Sequence, residues 1–206
     1  MLHLNTVSPE LKNLLLEVNA NEKFSSFRLG GGTALALQLG HRISVDADYI
    51  SESTIDKTEF AQIIAKEING VADLHTGEIG IFLKAAGIKL DFLSWNIPFI
   101  RPVVIQDGLR LLNVEEIAAM KLFAITQRGE KKDYFDIAVL LQHYSLTQLV
   151  AFYKERHPAN DTSVVISFLV SFSDIDFQPE PQKLIELNWI QAKEILQTAV
   201  TNYLKK

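Results

Sequence analysis

The spacing of apolar residues predicts two helices in the first third of the chain. Ser8 and Pro9, a favoured helix cap and a favoured first helical residue, precede three leucines and a valine at positions 11, 14, 15 and 18. This spacing predicts a short amphipathic helix over residues 8–18. The pattern of residues 57–69 predicts another helix.

Between these helices lies a segment rich in glycine. Residues 27–29 have the character of a short strand, and the glycines at 30–32 predict a tight turn after it. Thr33 is a suitable residue for the first turn of a helix, and Gly40 is a suitable stop. The segment therefore predicts a strand, a glycine turn and a helix that begins at or near Thr33.

Residues 43–50 alternate between two sets of side chains, which predicts a strand. Asp46 and Asp48 fall in the same set, so we expect both carboxylates to project from one face. The opposite face would carry Ile43, Val45, Ala47 and Tyr49.

Strand-like runs continue at residues 77–85 and 87–95, and the second places Lys89 and Asp91 on one face. From residue 113 onward, helical spacing replaces strand spacing. We expect helices at 114–128, 131–142, 146–156, 162–171 and 181–204.

The change of period divides the chain into an α/β front part and a helical back part. Residues 98–113 are rich in turn formers and are the expected seam. We place the boundary so that the front part spans residues 1–105 and the back part residues 106–206.

The amino-acid composition excludes several kinds of functional site. The 206 residues include no cysteine, which excludes disulfides, cysteine-ligated zinc, iron–sulfur clusters and thiol nucleophiles. The formal net charge of −5 does not favour non-specific binding to nucleic acid or to anionic lipid. Without a basic leader or a long apolar run, the sequence predicts a cytoplasmic protein with no membrane partner.

The glycine turn is the first candidate binding element. A glycine turn that enters a helix exposes unsatisfied backbone N–H groups at the positive end of the helix dipole, where phosphate binds. No lysine follows the glycines, which excludes a Walker-type loop. The alternative is a turn that serves only tight packing.

Asp46 and Asp48 are the second element. Two carboxylates close together repel each other unless a cation is present, and oxygen ligands suit Mg²⁺ or Mn²⁺ carrying a triphosphate. Asp91 could bring a third carboxylate from a neighbouring strand. The alternatives are an ordinary acidic loop for the pair and a solvent-facing hairpin residue for Asp91, with Lys89 paired to Asp91 or to a phosphate.

These residues together resemble a known family. The segment LGGGTALALQLGHRISVDADY is similar to the signature of the nucleotidyltransferase superfamily with the DNA polymerase β-type fold, and more closely to its AbiEii/AbiGii-type toxin branch. The segment VEEIAAMKLFAITQRGEKKDYFDIAVLL resembles a later helical motif of that branch. The resemblance covers nearly the whole chain.

The resemblance implies a fold and an activity. The fold would be α+β, with a nucleotidyltransferase-type α/β core that contains a small mixed sheet, followed by a C-terminal helical bundle. The activity would be metal-dependent transfer of an NMP unit from an NTP to a hydroxyl acceptor, for which tRNA is one candidate. Mg²⁺ or Mn²⁺ would be the cofactor, and an antitoxin would be the cognate partner of a toxin or phage-defence protein.

The resemblance also assigns roles by position. It makes Asp91 the candidate base toward the acceptor hydroxyl. The residues that would bind metal are Asp46, Asp48 and Asp91. The residues that would hold the nucleotide are Gly31, Gly32, Thr33, Arg42, Ser44 and Arg128. In the helical motif, where a basic residue faces the phosphates and an aspartate orients it, the catalytic candidates are Lys121, Asp133 and Asp136.

Some features have simpler interpretations. Lys121 and Arg128 could be solvated helix charges, and Asp136 could pair with Lys132 or Arg128. The basic clusters at residues 128–132 and 205–206 could contact RNA or could be solvated charges. Asp174 and Asp176 repeat the acidic spacing without a glycine turn upstream, which predicts a loop that ends a helix.

Two further functions use the same residues. The chain could bind a nucleotide or a partner protein without turnover, or it could move a phosphoryl group instead of a nucleotidyl group. The phosphate turn and the carboxylates serve all three chemistries, so the sequence alone does not choose among them.

Overall fold

The computed structural model describes residues 1–205, so Lys206 of the predicted basic pair lies outside the described residues. The chain forms two compact units, Met1–Asn113 and a second that begins at Val114. No helix within residues 1–205 is both long enough and apolar enough to cross a membrane.

The first unit is built around a mixed sheet. Within the described residues its strands are β1 (Arg28–Leu29), β2 (Ala47–Ser51), β3 (Val71–Thr76), β4 (Gly80–Ala85), β5 (Ile88–Ser94), β6 (Val104–Gln106) and β7 (Leu109–Leu111), and its helices are α1 (Pro9–Ala20), α2 (Gly31–Leu39) and α3 (Lys57–Glu67). The seven strands lie in the order β3-β4-β5-β2-β1-β7-β6. The pairs β2·β5 and β1·β7 are parallel, and the other neighbours are antiparallel.

The local signals for α1 and α2 are confirmed. The side chain of Ser8 accepts a hydrogen bond from the backbone N–H of Leu11, which caps α1. Gly40 adopts φ +70° after α2 and donates its N–H to the carbonyl of Ala36, as a helix-ending glycine does. The helix α2 begins at Gly31, two residues before the predicted start, because the glycine turn itself winds into the first helical turn.

The strand predicted over residues 43–50 is shorter than its alternation suggests. It begins at Ala47, and Val45 is 74% exposed although the pattern placed it on an apolar face. The N–H of Ser44 donates to the carbonyl of Thr6, outside the sheet. Residues 43–46 are therefore an irregular segment, and Asp46 lies immediately before the strand that carries Asp48.

Three strands were not predicted. The strands β6 and β7 lie in the stretch that was expected to contain only turns, and β3 has only exposed and half-buried residues. The β6–β7 hairpin turns at Asp107 and Gly108, which both have positive φ. An Asp-Gly pair is a strong signal for such a hairpin.

The core of the first unit contains an aromatic cluster. The rings of Phe24, Phe27, Phe60 and Phe92 pack with centroids 4.9–5.8 Å apart. These four phenylalanines are buried. Phe99 is not part of this cluster: its ring is only half-buried and lies 4.0 Å from the guanidinium of Arg28.

The second unit is helical throughout its regular structure. Its helices are α4 (Val114–Gln127), α5 (Lys131–Leu140), α6 (Leu146–Arg156), α7 (Thr162–Phe168) and α8 (Trp189–Leu204). The helix expected from residue 181 begins only at Trp189, because Asn188 and Gln191 form a capping box there. Asp174 and Asp176 lie in the turn after α7, as expected, and Asp176 accepts hydrogen bonds from Trp189 and Lys193.

Candidate nucleotidyl-transfer site

The two glycines at the start of α2 are required by what lies beside them. Gly31 has φ +60°, and a Cβ atom there would collide with the carboxylate of Asp48. A Cβ atom on Gly32 would collide with the guanidinium of Arg42. The N–H of Gly30 donates to the carbonyl of Asp48 at 2.7 Å. The helix start and Asp48 are thereby held in direct contact.

The first turn of α2 has free donor capacity. The N–H groups in the first turn of a helix have no acceptor within the helix, and Gly30 offers no side-chain cap. These N–H groups and the helix dipole make this end of α2 electropositive. An anionic group beside Gly31 and Gly32 would therefore be stabilised.

Thr33 and Ser44 attach the acidic segment to α2. The Thr33 hydroxyl lies 2.5 Å from the carbonyl oxygen of Asp46 and 2.7 Å from the Ser44 hydroxyl. Because a carbonyl can only accept, Thr33 donates to Asp46 and accepts from Ser44. Both side chains are buried. In this structure they hold Asp46 in place, a positioning contact that the sequence patterns did not reveal.

Arg42 is also buried, at 4% exposure. Its guanidinium lies against Gly32 and donates to the carbonyl of Ile43 at 3.1 Å. The structure therefore places a fixed positive charge directly behind the first turn of α2.

The aspartates of two strands meet on one face of the sheet. Asp48 on β2 and Asp91 on β5 are register partners in a parallel pair. Directly paired residues on neighbouring strands point to the same face, and the strands are about 4.8 Å apart. Asp46 precedes Asp48 by two residues, and its carboxylate lies within 3.5 Å of the Ser44 hydroxyl. The structure thus brings the three predicted carboxylates to one region beside α2.

Asp91 is the most buried of the three, with 4% of its surface exposed. Its Oδ2 atom lies 2.8 Å from the ammonium of Lys89. Its Oδ1 atom is buried and has no hydrogen-bond partner within residues 1–205. A buried carboxylate oxygen without a partner is costly, which is typical of a group that binds a ligand.

All three carboxylates raise the pKa of Lys89. Burial lowers its pKa, but the hydrogen bond to Asp91 and the charges of Asp91, Asp48 and Asp46 outweigh burial and raise the pKa above its ordinary value. The lysine is therefore firmly charged at neutral pH. Of the two partners that the sequence left open for Lys89, the structure shows Asp91.

The donor set fits a hard divalent cation. All candidate ligands are carboxylate oxygens, which Mg²⁺ and Mn²⁺ prefer, and one of them is the unpartnered Oδ1 of Asp91. Within residues 1–205, no three histidine, aspartate or glutamate side chains converge closely enough to enclose a metal ion by themselves. A cation here would need further oxygen ligands from water or from phosphate, as Mg²⁺ commonly takes in nucleotide sites.

The second unit contains its own charged cluster. The ammonium of Lys121 lies 2.6 Å from a carboxylate oxygen of Asp133 and 2.6 Å from one of Asp136. All three side chains are at most 5% exposed. The spacing of three residues on α5 places both aspartates on one helix face. Lys121 is therefore a buried charge rather than a solvated one.

Arg128 is the exposed member of this cluster. Its Nε atom lies 3.3 Å from Oδ2 of Asp133, and its side chain is 51% exposed. Asp133 thus connects Lys121 inside the unit with Arg128 at its surface. Asp136 pairs with Lys121, and Lys132 pairs with Glu130 at 2.9 Å.

Comparisons with known proteins identify the family of this chain. Residues 13–202 match the family model of the nucleotidyl transferase AbiEii toxins of type IV toxin–antitoxin systems. The chain is 31% identical to the uncharacterized protein aq_aa25 of Aquifex aeolicus (strain VF5), over 88% of this chain and 89% of that protein.

Two solved structures show the same fold. The nucleotidyltransferase toxin MenT4 (Rv2826c) of Mycobacterium tuberculosis H37Rv is 14% identical to this chain. The superposition covers 96% of this chain and 82% of MenT4, with a TM-score of 0.67. JHP933 of Helicobacter pylori is 20% identical to this chain. Its superposition covers 98% of this chain and 94% of JHP933, with a TM-score of 0.51. The predicted α+β fold, a mixed-sheet nucleotidyltransferase core followed by helices, is therefore confirmed, and the chain belongs to the AbiEii nucleotidyl transferase toxin family.

Proposed function

We propose that this chain transfers a nucleoside monophosphate from a nucleoside triphosphate to a hydroxyl acceptor and releases pyrophosphate. The observation that carries the proposal is the position of Asp48, which touches Gly31 at the start of α2 and is the register partner of Asp91. A triphosphate is stabilised by N–H groups at a helix start and by cations held on carboxylates, and this surface offers both.

We propose Mg²⁺, or Mn²⁺, as the cofactor, held by Asp46, Asp48 and Asp91. The bound ion would neutralise charge on the phosphates during transfer. Thr33 supports this role by donating a hydrogen bond to the backbone carbonyl of Asp46, and Ser44 supports Thr33 through the bond between their hydroxyls.

The chain's own groups account for the remaining chemistry. The N–H groups of Gly31 and Gly32 bind phosphate oxygens, and Arg42 adds positive charge behind them. The carboxylate of Asp91 accepts the proton of the acceptor hydroxyl. The acceptor oxygen then bonds to the α-phosphorus while the bond from that phosphorus to the bridging oxygen breaks, and pyrophosphate leaves with the electron pair.

In the second unit, we propose that Arg128 binds phosphate oxygens. Its exposed guanidinium is suited to a phosphate, and Asp133 fixes its direction. Lys121 and Asp136 act through Asp133, because their buried charges hold that carboxylate in place.

The biological role that we propose follows from the family. The chain would act as the toxin of a pair and would be neutralised by an antitoxin partner. A tRNA is the acceptor that we propose to test first, because it offers terminal hydroxyls.

The decisive test incubates the purified protein with each α-labelled NTP, Mg²⁺ and total tRNA. We expect label in the RNA with the wild type, and none with Asp46→Ala or Asp48→Ala. The matched control is Asp174→Asn, which changes the exposed aspartate of the look-alike acidic pair and should keep full transfer. Transfer that survives both Asp46→Ala and Asp48→Ala would contradict the proposal.

The mass of the modified acceptor separates this function from its alternatives. An added nucleoside monophosphate supports nucleotidyl transfer, whereas an added phosphate on RNA or protein indicates phosphoryl transfer. Calorimetric binding of NTP without any incorporation would indicate a binding module. Either of these two results would overturn the proposal.

A further inference from the structure

Lys89 occupies an unusual position relative to the acidic residues. Its ammonium pairs with Oδ2 of Asp91 at 2.8 Å, yet its side chain is 58% exposed while that of Asp91 is 5% exposed. The pair therefore joins a buried carboxylate to a cation at the surface. The same ammonium also interacts electrostatically with the carboxylates of Asp46 and Asp48.

Lys89 does not satisfy the Asp91 carboxylate on its own. It supplies one positive charge at Oδ2, and it leaves Oδ1 of Asp91 without a hydrogen-bond partner within residues 1–205. A divalent cation would supply twice the charge and could use the remaining oxygen. The Lys89 ammonium and a divalent cation would thus both bind the Asp91 carboxylate, and the singly charged lysine attracts it less strongly than the cation would.

We infer that Lys89 is a positioning residue that holds the Asp91 carboxylate in the metal-free protein and competes with the divalent cation for it, so that the lysine lowers the protein's affinity for the cation. This inference rests on the proposed function, which makes Asp91 a metal ligand. It adds that metal binds weakly until the lysine is drawn away from Asp91, which the phosphates of an incoming nucleotide would do.

The exposure of Lys89 makes such a displacement feasible. Its ammonium can move into water or onto a phosphate without leaving a buried charge behind. Lys121 shows the contrast, because its ammonium is buried between two buried carboxylates and has no comparable freedom.

The structure supplies a matched control for the test. Lys84 on β4 is the register partner of Lys89 on β5, its side chain is 55% exposed, and it pairs with Asp73 at 2.8 Å. Lys84→Met therefore removes the same charge from a neighbouring, similarly exposed position without touching Asp91. Any effect of general surface charge is common to both variants.

The experiment titrates Mn²⁺ into the nucleotide-free protein and follows free Mn²⁺ by electron paramagnetic resonance. We expect Lys89→Met to bind Mn²⁺ about two- to fivefold more tightly than the wild type, the range of a partly exposed ion pair. Lys84→Met should change the affinity less than twofold, and Lys89→Arg should stay close to the wild type because it keeps the charge. Thermal unfolding without metal should show a lower midpoint for Lys89→Met, which Mn²⁺ raises more than it raises that of the wild type.

The outcomes separate this inference from the proposed function. If Asp91→Asn loses Mn²⁺ binding while Lys89→Met binds no more tightly than Lys84→Met, the inference is wrong and the metal site stands. If neither the wild type nor Lys89→Met binds Mn²⁺ with or without a non-hydrolysable NTP, both are wrong. Tighter binding by Lys89→Met alone, restored toward the wild type by Lys89→Arg, supports the inference.

Discussion

Asp48 and Asp91 are register partners on adjacent parallel strands, although α3, β3 and β4 separate them along the chain. The pairing places two carboxylates side by side next to the start of α2. Such a pair is unfavourable on its own, because like charges repel. In this protein Lys89 offsets the cost from one side, and the first turn of α2 lies on the other. The proposed cation would offset the same repulsion.

The contact between Gly31 and Asp48 can be tested with alanine. Gly31→Ala would place a methyl group against the Asp48 carboxylate and would strain a residue with positive φ. We expect transfer to fall about 100-fold, the cost of displacing a catalytic group by roughly 1 Å. Single-turnover transfer kinetics would measure it.

The matched control is Gly87→Ala. Gly87 also has positive φ, but a Cβ atom there would meet nothing within 4 Å. Gly87→Ala should lose about 1 kcal/mol of stability in urea and keep its activity, whereas Gly31→Ala should lose more stability, because of the added collision, and should also lose activity. Equal activity in both would show that the contact with Asp48 is unimportant.

The hydroxyl of Thr33 should matter through Asp46. Thr33→Val keeps the shape of the side chain but removes the bonds to Asp46 and Ser44. We expect the variant to fold with a stability loss of about 1–3 kcal/mol, and transfer to fall at least about tenfold because Asp46 is less well fixed. Thr33→Ser keeps the hydroxyl and should restore most of the rate. If valine and serine behave alike in the transfer assay, the hydroxyl has no such role.

Lys121 should be essential for the stability of the second unit. Lys121→Met would leave Asp133 and Asp136 as buried carboxylates without their shared ammonium. Breaking a buried ion pair in this way costs about 3–5 kcal/mol. Urea unfolding followed by circular dichroism measures the loss.

Lys132→Met provides the comparison, since this more exposed lysine pairs with Glu130 at the surface and should change stability by no more than about 0.5 kcal/mol. Adding Asp136→Asn to Lys121→Met should recover part of the loss, because one uncompensated charge is removed. An unfolding midpoint for Lys121→Met equal to that of Lys132→Met would contradict the buried cluster.

His157 should make the protein less stable in mild acid. Burial, and next the charge of Arg156, lower the pKa of His157 to about 4, against an ordinary value near 6.5 in the unfolded chain. Its ring stacks on Phe123 at 4.8 Å, and its Nε2 atom is buried without a hydrogen-bond partner within residues 1–205. As the pH falls from 6.5 toward 4, the unfolded chain takes up a proton that the folded protein does not, so stability falls across this window.

The size and origin of this effect are measurable. Because the side chain is half-buried and partly screened by solvent, we expect about 1–2 kcal/mol of stability to be lost between pH 7 and pH 4 through this residue. Chemical unfolding at a series of pH values should show a smaller slope for His157→Phe than for the wild type. His143→Phe, at an exposed position, should keep the wild-type slope. An unchanged slope in His157→Phe would show that this histidine does not carry the effect.

Local structure followed closely from local sequence where the signal lay within a few residues. The cap at Ser8 and the stop at Gly40 behaved as predicted, because each depends on one residue and the helix turn beside it. The Asp107-Gly108 hairpin carried an equally local signal that the prediction overlooked. The alternation over residues 43–50 was misleading, because tertiary hydrogen bonds from Ser44 and Thr33 pull its first half out of the sheet.

The candidate site was predictable as a list of residues but not as an arrangement. The sequence predicted Asp46, Asp48 and Asp91 as carboxylates of one site, and it left Lys121, Asp133 and Asp136 open between solvated charges and a motif. The structure brings the first three to one region and shows the second three as a buried cluster within the second unit. Their roles in transfer remain predictions. The buried pair of Glu116 and Arg156 was not predicted at all, because nothing in the spacing of two residues on different helices reveals their contact.

The sequence by itself determined the family, the order of most helices and strands, and the residue types available for chemistry. These depend on motifs and periods that are read along the chain. Only the tertiary structure decided that Asp48 is the register partner of Asp91, that Lys89 pairs with Asp91, and that Thr33 is buried against Asp46. The physical reason is that parallel strand pairing and burial bring together residues that are distant in sequence. The hydrophobic period of each segment does not indicate which other segment it will contact.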